Sequence, residues 1–290
     1  GDVYKRQTMD LTGKAIMVDT GIMELHDDTN YILDGAIVFH TGYVTSDGYS
    51  QWVTDIPYGT TITMDGGEVN GVYSSTAAKG LLIGGKSGSS ENALNYNIND
   101  VIFTNVASIA TGAGDRTQGF DSSFSTYLPS QISITNSFIG HYRAEVVDRP
   151  TSFDDADYCI RISGTNSGTI SGNTFSDCIV GIGFEPSYYA GSVSTVTHAV
   201  VGSDNVIIDD NDFVGTVAYN VRLGPNSDAD SMTISNNEMT CGTCIHVRMD
   251  DDSSVLPTIT ANTFNGGDWA VYSEDTEYVN IDGNVFNSIA

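Results

Sequence analysis

Isoleucine, asparagine and phenylalanine recur in a fixed order through the second half of the chain. Ile170-Ser-Gly-Asn173-Thr-Phe175 is followed by Ile208-Asp-Asp-Asn211-Asp-Phe213 and Ile234-Ser-Asn-Asn237-Glu-Met239, then by Ile259-Thr-Ala-Asn262-Thr-Phe264 and Ile281-Asp-Gly-Asn284-Val-Phe286. Successive asparagines lie 38, 26, 25 and 22 residues apart. Two looser copies stand upstream. Ile132-Ser-Ile134-Thr-Asn136-Ser-Phe138 puts Asn136 in the asparagine position, and Ile98-Asn-Asp-Val101-Ile-Phe103 puts Val101 there. The spacing predicts a strand closed by an inward Ile, a sharp corner, and a second strand opened by an inward Phe. Asn is expected to form the corner because it tolerates left-handed backbone, and stacked side-chain amides can bond along an axis.

A further short strand follows each corner: Cys178–Phe184, Tyr219–Leu223, Cys244–Arg248 and Trp269–Tyr272. Several alternate apolar with polar residues, as a strand buried on one face does. Two or three strands plus turns fill about 22–26 residues, a normal solenoid repeat. A leucine-rich repeat overlays the Val206–Phe213 and Met232–Met239 segments, but its helical continuation is missing. The segment after each Asn is Gly-rich and β-branched, and the chain holds only nine leucines. The predicted fold is therefore all-β, a right-handed parallel β-helix wound from one chain.

Residues 98–290 carry these repeats. Residues 8–97 are expected to form further β-rich coils of unclear register, with Ile62-Thr-Met-Asp65-Gly-Gly67 as a degenerate corner. Residues 1–7 read as a non-native scar, since Asp2-Val-Tyr-Lys-Arg-Gln7 resembles a translated sequencing adapter. With that scar, and no capping helix after Asn284, the chain reads as a fragment without its caps. The two longest asparagine intervals hold insertions, one spanning Arg149–Tyr158 and the other running from Glu185 to Asp204. Gly84–Ser90 and Thr111–Arg116 read as loops.

Charge narrows the partners. Eleven Lys plus Arg against 37 Asp plus Glu give a net charge of -26, a field that repels phosphate backbones, so nucleic acid is excluded as a partner. No apolar run is long enough to span a membrane. Cys241-Gly-Thr-Cys244 is a lone C-x-x-C, which supports neither a zinc ribbon nor, without a βαβ context, a thioredoxin site. Cys159 and Cys178 are 19 residues apart, slightly less than one coil, within reach of a bridge between neighbouring coils. An even cysteine count points to an extracellular or cell-surface setting.

The Ile-x-Gly-Asn-x-Phe style at Ile170–Phe175 and Ile281–Phe286 resembles the right-handed β-helix repeats of the pectate-lyase-like superfamily, over about residues 98–290. That resemblance implies an extracellular protein acting on or holding acidic polysaccharides. Lyases of that superfamily use Ca²⁺ on carboxylates and an Arg or Lys base, whereas its hydrolases carry Gly-His-Gly and Arg-x-Lys signatures. Neither hydrolase signature occurs in this chain.

Counted from the corner Asn, Arg222 and Arg248 both fall eleven residues on, and Asn220 and His246 nine on. Alternation with Val221, Leu223, Ile245 and Val247 is expected to place all four on the outside of one sheet. Paired guanidiniums would suit a sugar carboxylate, with an Arg beside His246 as the proton-abstracting group. The competing reading is that Asp228, Asp250 or Glu274 neutralise them as surface pairs. Asp250, Asp251 and Asp252 could hold Ca²⁺, against the reading of a solvated acidic turn. Tyr158, Tyr188 and Tyr189, on the insertions, are expected to stack on sugar faces or to cover the coil ends. The function expected is a secreted or surface β-helix module with a structural and polysaccharide-binding role. The alternative is a Ca²⁺-dependent lyase or epimerase acting on uronate glycans.

Overall fold

The computed structural model describes residues 7–18, 23–24, 29–40, 54–57, 60–71, 82–86, 95–106, 109–111, 130–141, 158–162, 165–184, 205–216, 218–227, 231–249, 257–274 and 279–290. Among them the chain forms strands and no helix, and every strand pairing is parallel. The strands cycle through three sheets of ten, ten and nine strands, and each sheet gains one strand per turn in chain order. The protein is a parallel β-helix of ten coils.

Coil 5 runs through Ser130–Thr135, Phe138–His141 and Tyr158–Ile162. Coil 6 follows with Thr165–Ser171, Thr174–Ser176 and Val180–Phe184. Coil 7 comprises Val206–Asp209, Asp212–Val214 and Tyr219–Ser227. Thr233–Ser235, Glu238–Met239 and Thr243–Met249 make coil 8, and Thr258–Thr260, Thr263–Asn265 and Trp269–Ser273 make coil 9. Asn280–Asp282 and Val285–Asn287 begin coil 10.

The same winding starts at Gln7–Asp10, so coils 1–4 share the register of the clearer repeats. Met64-Asp65-Gly66-Gly67 is a true corner, stacked under Ile98–Val101. Gly67 has a φ of 101°, and a side chain there would overlap the backbone oxygen of Ala36, so only glycine fits. Gly84–Lys86, expected in a loop, belongs instead to the strand Leu82–Lys86.

The core is a stack of like residues. Ile98, Ile134, Ile170, Ile208, Ile234 and Ile259 are all buried along the first sheet. Along the second sheet Phe175 stacks on Phe213 at 4.8 Å and 9°, and Phe264 on Phe286 at 5.3 Å and 13°. Parallel strands about 4.8 Å apart bring like positions into direct contact, so these rings pack face to face in two pairs, with Met239 between Phe213 and Phe264.

The corner between the first two sheets differs from the sequence expectation in one respect. The left-handed residue is the one before the asparagine: Gly172, Asp210, Asn236, Ala261 and Gly283 have φ between 54° and 66°. The asparagine itself points inward and is buried at Asn173, Asn211, Asn237 and Asn262. Its amide nitrogen donates back one coil to a strand-end carbonyl, as from Asn211 to Ile170 at 2.9 Å and from Asn237 to Ile208 at 3.0 Å. It also donates forward to the next asparagine's Oδ1, at 2.9–3.0 Å from Asn173 through Asn284. That Oδ1 additionally accepts the previous asparagine's backbone N–H.

Coil 5 shifts by one position for the same reason. Asn136 is the left-handed residue, and Ser137 takes the inward position, accepting the Val101 N–H at 3.1 Å. Ile139 is then the buried core residue and Phe138 lies outside, 38% exposed. The expectation for Asn136 and Phe138 was thus one residue out of register, because the corner is defined by what points inward.

Replacing Asn237 with alanine leaves the Ile208 carbonyl and the Asn211 N–H buried without partners. The expected loss is about 3 kcal/mol in urea unfolding. Asn284→Ala, at the exposed end of the ladder, is expected to cost about 1 kcal/mol or less. Equal losses at the two positions would rule out burial as the source of the ladder's strength.

Candidate functional site

The third sheet breaks strict alternation once per coil. Tyr158, Val180, Tyr219, Thr243 and Trp269 pair in register, as do Ile160, Ile182, Val221, Ile245 and Val271. Between them, Cys159, Gly181, Asn220, Cys244 and Ala270 occupy equivalent positions. Cys159, Cys244 and Ala270 belong to the core. A Cβ at Gly181 would lie 2.6 Å from both the Phe213 ring and the Asn220 carbonyl oxygen. Two successive residues per strand therefore face inward.

This kink overturns the expectation for Asn220. It is 0% exposed and holds an interior position, so it contacts no external ligand. Its side-chain oxygen and nitrogen have no hydrogen-bond partner among the described residues, and neither does the hydroxyl of Thr216 in the same coil. Two disulfides flank this coil. Cys159–Cys178 joins coils 5 and 6, and Cys241–Cys244 closes the corner of coil 8. Spacing allowed the first bridge; the second was hidden in a motif that also suits metals and redox sites.

Outside the kink runs a column of Arg161, Gly183, Arg222, His246 and Tyr272, one from each of coils 5 to 9. The sequence count had paired Arg222 with Arg248. The structure pairs Arg222 with His246 because the second corner is two residues shorter in coil 8, from Asn237 to Thr243, than in coil 7, from Asn211 to Tyr219. The shortening keeps two guanidiniums from stacking directly. Arg248 lies two positions further along its strand, where the chain leaving coil 9 carries Glu274.

Tyr158 also departs from expectation. It is a strand residue, 2% exposed, and its ring lies over Gly183, where a methyl group would overlap it. From there its hydroxyl accepts a 3.0 Å hydrogen bond from Arg222 Nη1, two coils away. Arg222 also sits 6.0 Å above the Tyr219 ring. A glycine with no side chain thus lets one phenol bridge coil 5 to coil 7.

His246 is held between rings. Tyr219 stacks on it at 5.0 Å and 24°, and Tyr272 leans on its other side at 5.4 Å and 33°. It is 5% exposed, and its Nε2 lies 3.5 Å from Glu274 Oε2, an ion pair only when the imidazole is protonated and too long for a strong hydrogen bond. Burial and then the Arg222 charge hold the imidazole below its ordinary pKa of 6.5, with Glu274 pulling the other way. It is consequently a neutral group at pH 7. Beyond it, Trp269 and Tyr272 are 51% and 38% exposed, with ring centroids 5.7 Å apart.

Sequence counting missed Arg161, Tyr219, Trp269 and Tyr272 as members of this strip. Tyr219, Trp269 and Tyr272 sit in strands legible in the sequence and Arg161 in one that was not, Tyr158–Ile162, and their shared column depends on corner lengths that strand periodicity does not report. Tyr188, Tyr189, Asp250, Asp251 and Asp252 lie outside the described residues. Among the described residues, no group of three or more His, Cys, Asp or Glu is gathered closely enough to hold a metal ion.

Fold and strip together define a three-sheeted parallel β-helix with a cationic and aromatic surface on one sheet. Comparison of the chain with protein-family models, with curated proteins and with solved structures finds no match.

Two outcomes test this geometry. Gly183→Ala is expected to expel the Tyr158 ring and lower stability by about 2 kcal/mol as an overpacked contact. Tyr158→Phe, which keeps the ring and removes the acceptor for Arg222, should cost about 1 kcal/mol. A Gly183→Ala protein as stable as the parent would show that the ring does not lie there. Acidification gives the second test. A folded-state pKa below the unfolded value means that His246 contributes its full stability above about pH 6.5 and loses it as pH falls further. The melting temperature of His246→Phe should therefore fall less than that of the parent between about pH 7.5 and pH 5.5. Parallel falls would place His246 in an environment that does not resist protonation.

Proposed function

We propose that this chain is a secreted or cell-surface β-helix module that binds an anionic polysaccharide along the outer face of its third sheet. The observation that carries the reading is the distribution of positive charge. Arg161, Arg222 and Arg248 are three of only eleven basic residues, and they share one face across coils 5 to 8 of a chain whose net charge is -26. Guanidiniums suit sugar carboxylates and sulfates, and the exposed Trp269 and Tyr272 offer faces for sugar C–H groups. A flat file of side chains at strand spacing fits an extended polymer better than a small molecule.

Two features support the setting. Both disulfides are formed and no cysteine is free, as in proteins that mature under oxidising conditions. Among the described residues no helix is long and apolar enough to cross a membrane. The Ile-x-Gly-Asn-x-Phe corners are in keeping with the pectate-lyase-like superfamily, many of whose members meet acidic glycans outside the cell.

The second reading, a Ca²⁺-dependent lyase or epimerase on uronates, draws on Arg222 beside a neutral imidazole and on Asp250–Asp252 as cation ligands. Against it, His246 is closed between two rings and has little surface with which to meet a sugar.

The test is titration of pectate and alginate at low and high salt, with and without a chelator. Binding is expected to weaken steeply with salt and to be unaffected by the chelator. Arg161→Gln with Arg222→Gln should lose at least about tenfold in affinity, ~1.4 kcal/mol, while Lys14→Gln in coil 1 changes nothing. Appearance of an unsaturated uronate chromophore with Ca²⁺ would favour the lyase instead. Failure to bind any acidic glycan would refute the module reading.

A further inference from the structure

The second corner of coil 7 buries polar atoms that no protein group answers. Asn220 is 0% exposed and Thr216 6%. Among the described residues, neither the Oδ1 and Nδ2 of Asn220 nor the Oγ1 of Thr216 has a hydrogen-bond partner. Each buried polar atom left unpaired costs at least as much as a lost hydrogen bond. Three of them in one corner would remove a large share of the margin by which a folded chain is stable. Folded interiors satisfy such groups with protein atoms or with ordered water.

This corner is also longer than the others that follow a ladder asparagine in the described coils. Tyr219 comes eight residues after Asn211, against seven from Asn173 to Val180, six from Asn237 to Thr243 and seven from Asn262 to Trp269. The coils on either side close the same region with sulfur. Cys178 follows the left-handed Asp177 as Thr216 follows the left-handed Gly215, and it is bonded to Cys159 of coil 5. Cys241 and Cys244, in the short corner of coil 8, are bonded to each other with Cα atoms 5.2 Å apart. Asn220 stands in register with Gly181 on one side, which brings no side chain, and with Cys244 on the other. Coil 7 thus sets a hydroxyl and an amide where its neighbours set disulfides.

We propose that the second corner of coil 7 is a binding site for ordered internal water, held by the Asn220 amide and the Thr216 hydroxyl between the two disulfides. The chemistry of the atoms selects the occupant. Nδ2 only donates, Oδ1 only accepts, and a hydroxyl does both, so the occupant must accept and donate at once. Water does so, and a buried water ordinarily makes about three such bonds. A cation would face the Asn220 N–H donors without a carboxylate set, since no metal-binding group of acidic, His or Cys side chains is gathered among the described residues. Water also fills the longer side of the difference in corner length that sets Arg222 beside His246.

A crystal structure of the full chain that shows ordered solvent tests this directly. Solvent density is expected within about 2.5–3.2 Å of the Asn220 amide and of Thr216 Oγ1, without anomalous signal in crystals grown with rubidium chloride. In solution, relaxation dispersion of the water signal counts waters held longer than the protein tumbles. Asn220→Leu with Thr216→Val, apolar at both positions, is expected to hold at least one fewer than the parent. Where that double variant does not fold, Thr216→Val alone, which keeps the shape of the side chain, should shorten the residence of the water by about fivefold, the worth of one hydrogen bond. A corner without solvent density, its amide bonded to protein atoms instead, would overturn the proposal, as would equal water counts in parent and double variant or an unchanged residence in Thr216→Val. An anomalous rubidium peak would overturn it too, by placing a cation where water is expected.

Discussion

The buried asparagine ladder is the constraint on which the rest of this molecule depends. Strands within a sheet satisfy one another's backbone groups, but a sharp corner buries carbonyls and N–H groups that no neighbouring strand can reach. From Asn173 to Asn284 a side-chain amide supplies the missing donor to the coil before; it receives two from that coil from Asn211 onward, and one, from the Ser137 N–H, at Asn173. The amide is matched in both directions, so it also fixes the rise from coil to coil. Where the ladder ends toward the N-terminus, Ser137 makes a reduced version, bonding to Thr135 and Val101. Val101, Gly67 and Ala36 continue the position without side-chain amides, and there the left-handed residue alone turns the corner.

A rigid corner leaves the opposite one free to vary. Between the ladder asparagine and the first outward residue of the third sheet, coils 6 to 9 use different numbers of residues, from the short Cys241–Cys244 corner of coil 8 to the longer one of coil 7. Each change in length slides a third-sheet strand along its neighbours while the first two sheets stay in register. The outer column there is set by corner length as much as by strand sequence. This is how Arg222 comes to lie beside His246, and how two arginines at equal distance from their asparagines avoid direct repulsion. The disulfide of coil 8 closes the very corner whose shortness makes that pairing.

The fold was legible because its determinants are local and repeated: an inward Ile, a left-handed residue, an inward amide, an inward Phe. The role of the asparagine was only half legible. Asn tolerates positive φ, so it looked like the bend, yet at Asn173, Asn211, Asn237 and Asn262 it is the buried bonding group and its predecessor bends. The candidate site was less legible because it joins residues from five coils. Counting from the asparagine assumed corners of equal length and strands of strict alternation, and both assumptions fail in the third sheet. Asn220 shows the second failure: read as outward by alternation with Val221, it is drawn inside by a kink that no periodicity announces. Tyr158 shows a third, since its reach across Gly183 to Arg222 depends on a missing side chain one coil away.

The acidity of the molecule bears on what the cationic strip can do. A net charge of -26 repels anions at long range, so a polyanion approaching most faces gains nothing. Arg161 and Arg222 stand in line against that field, and screening confines their reach to about a Debye length, ~8–10 Å at moderate salt. That length is comparable to two coils. A polyanion of the kind proposed would therefore have to lie close along the column to be held. Selectivity in such a site arises from the contrast between strip and surroundings rather than from strong individual contacts. The coil spacing held by the ladder sets how far apart Arg161 and Arg222 stand along that face.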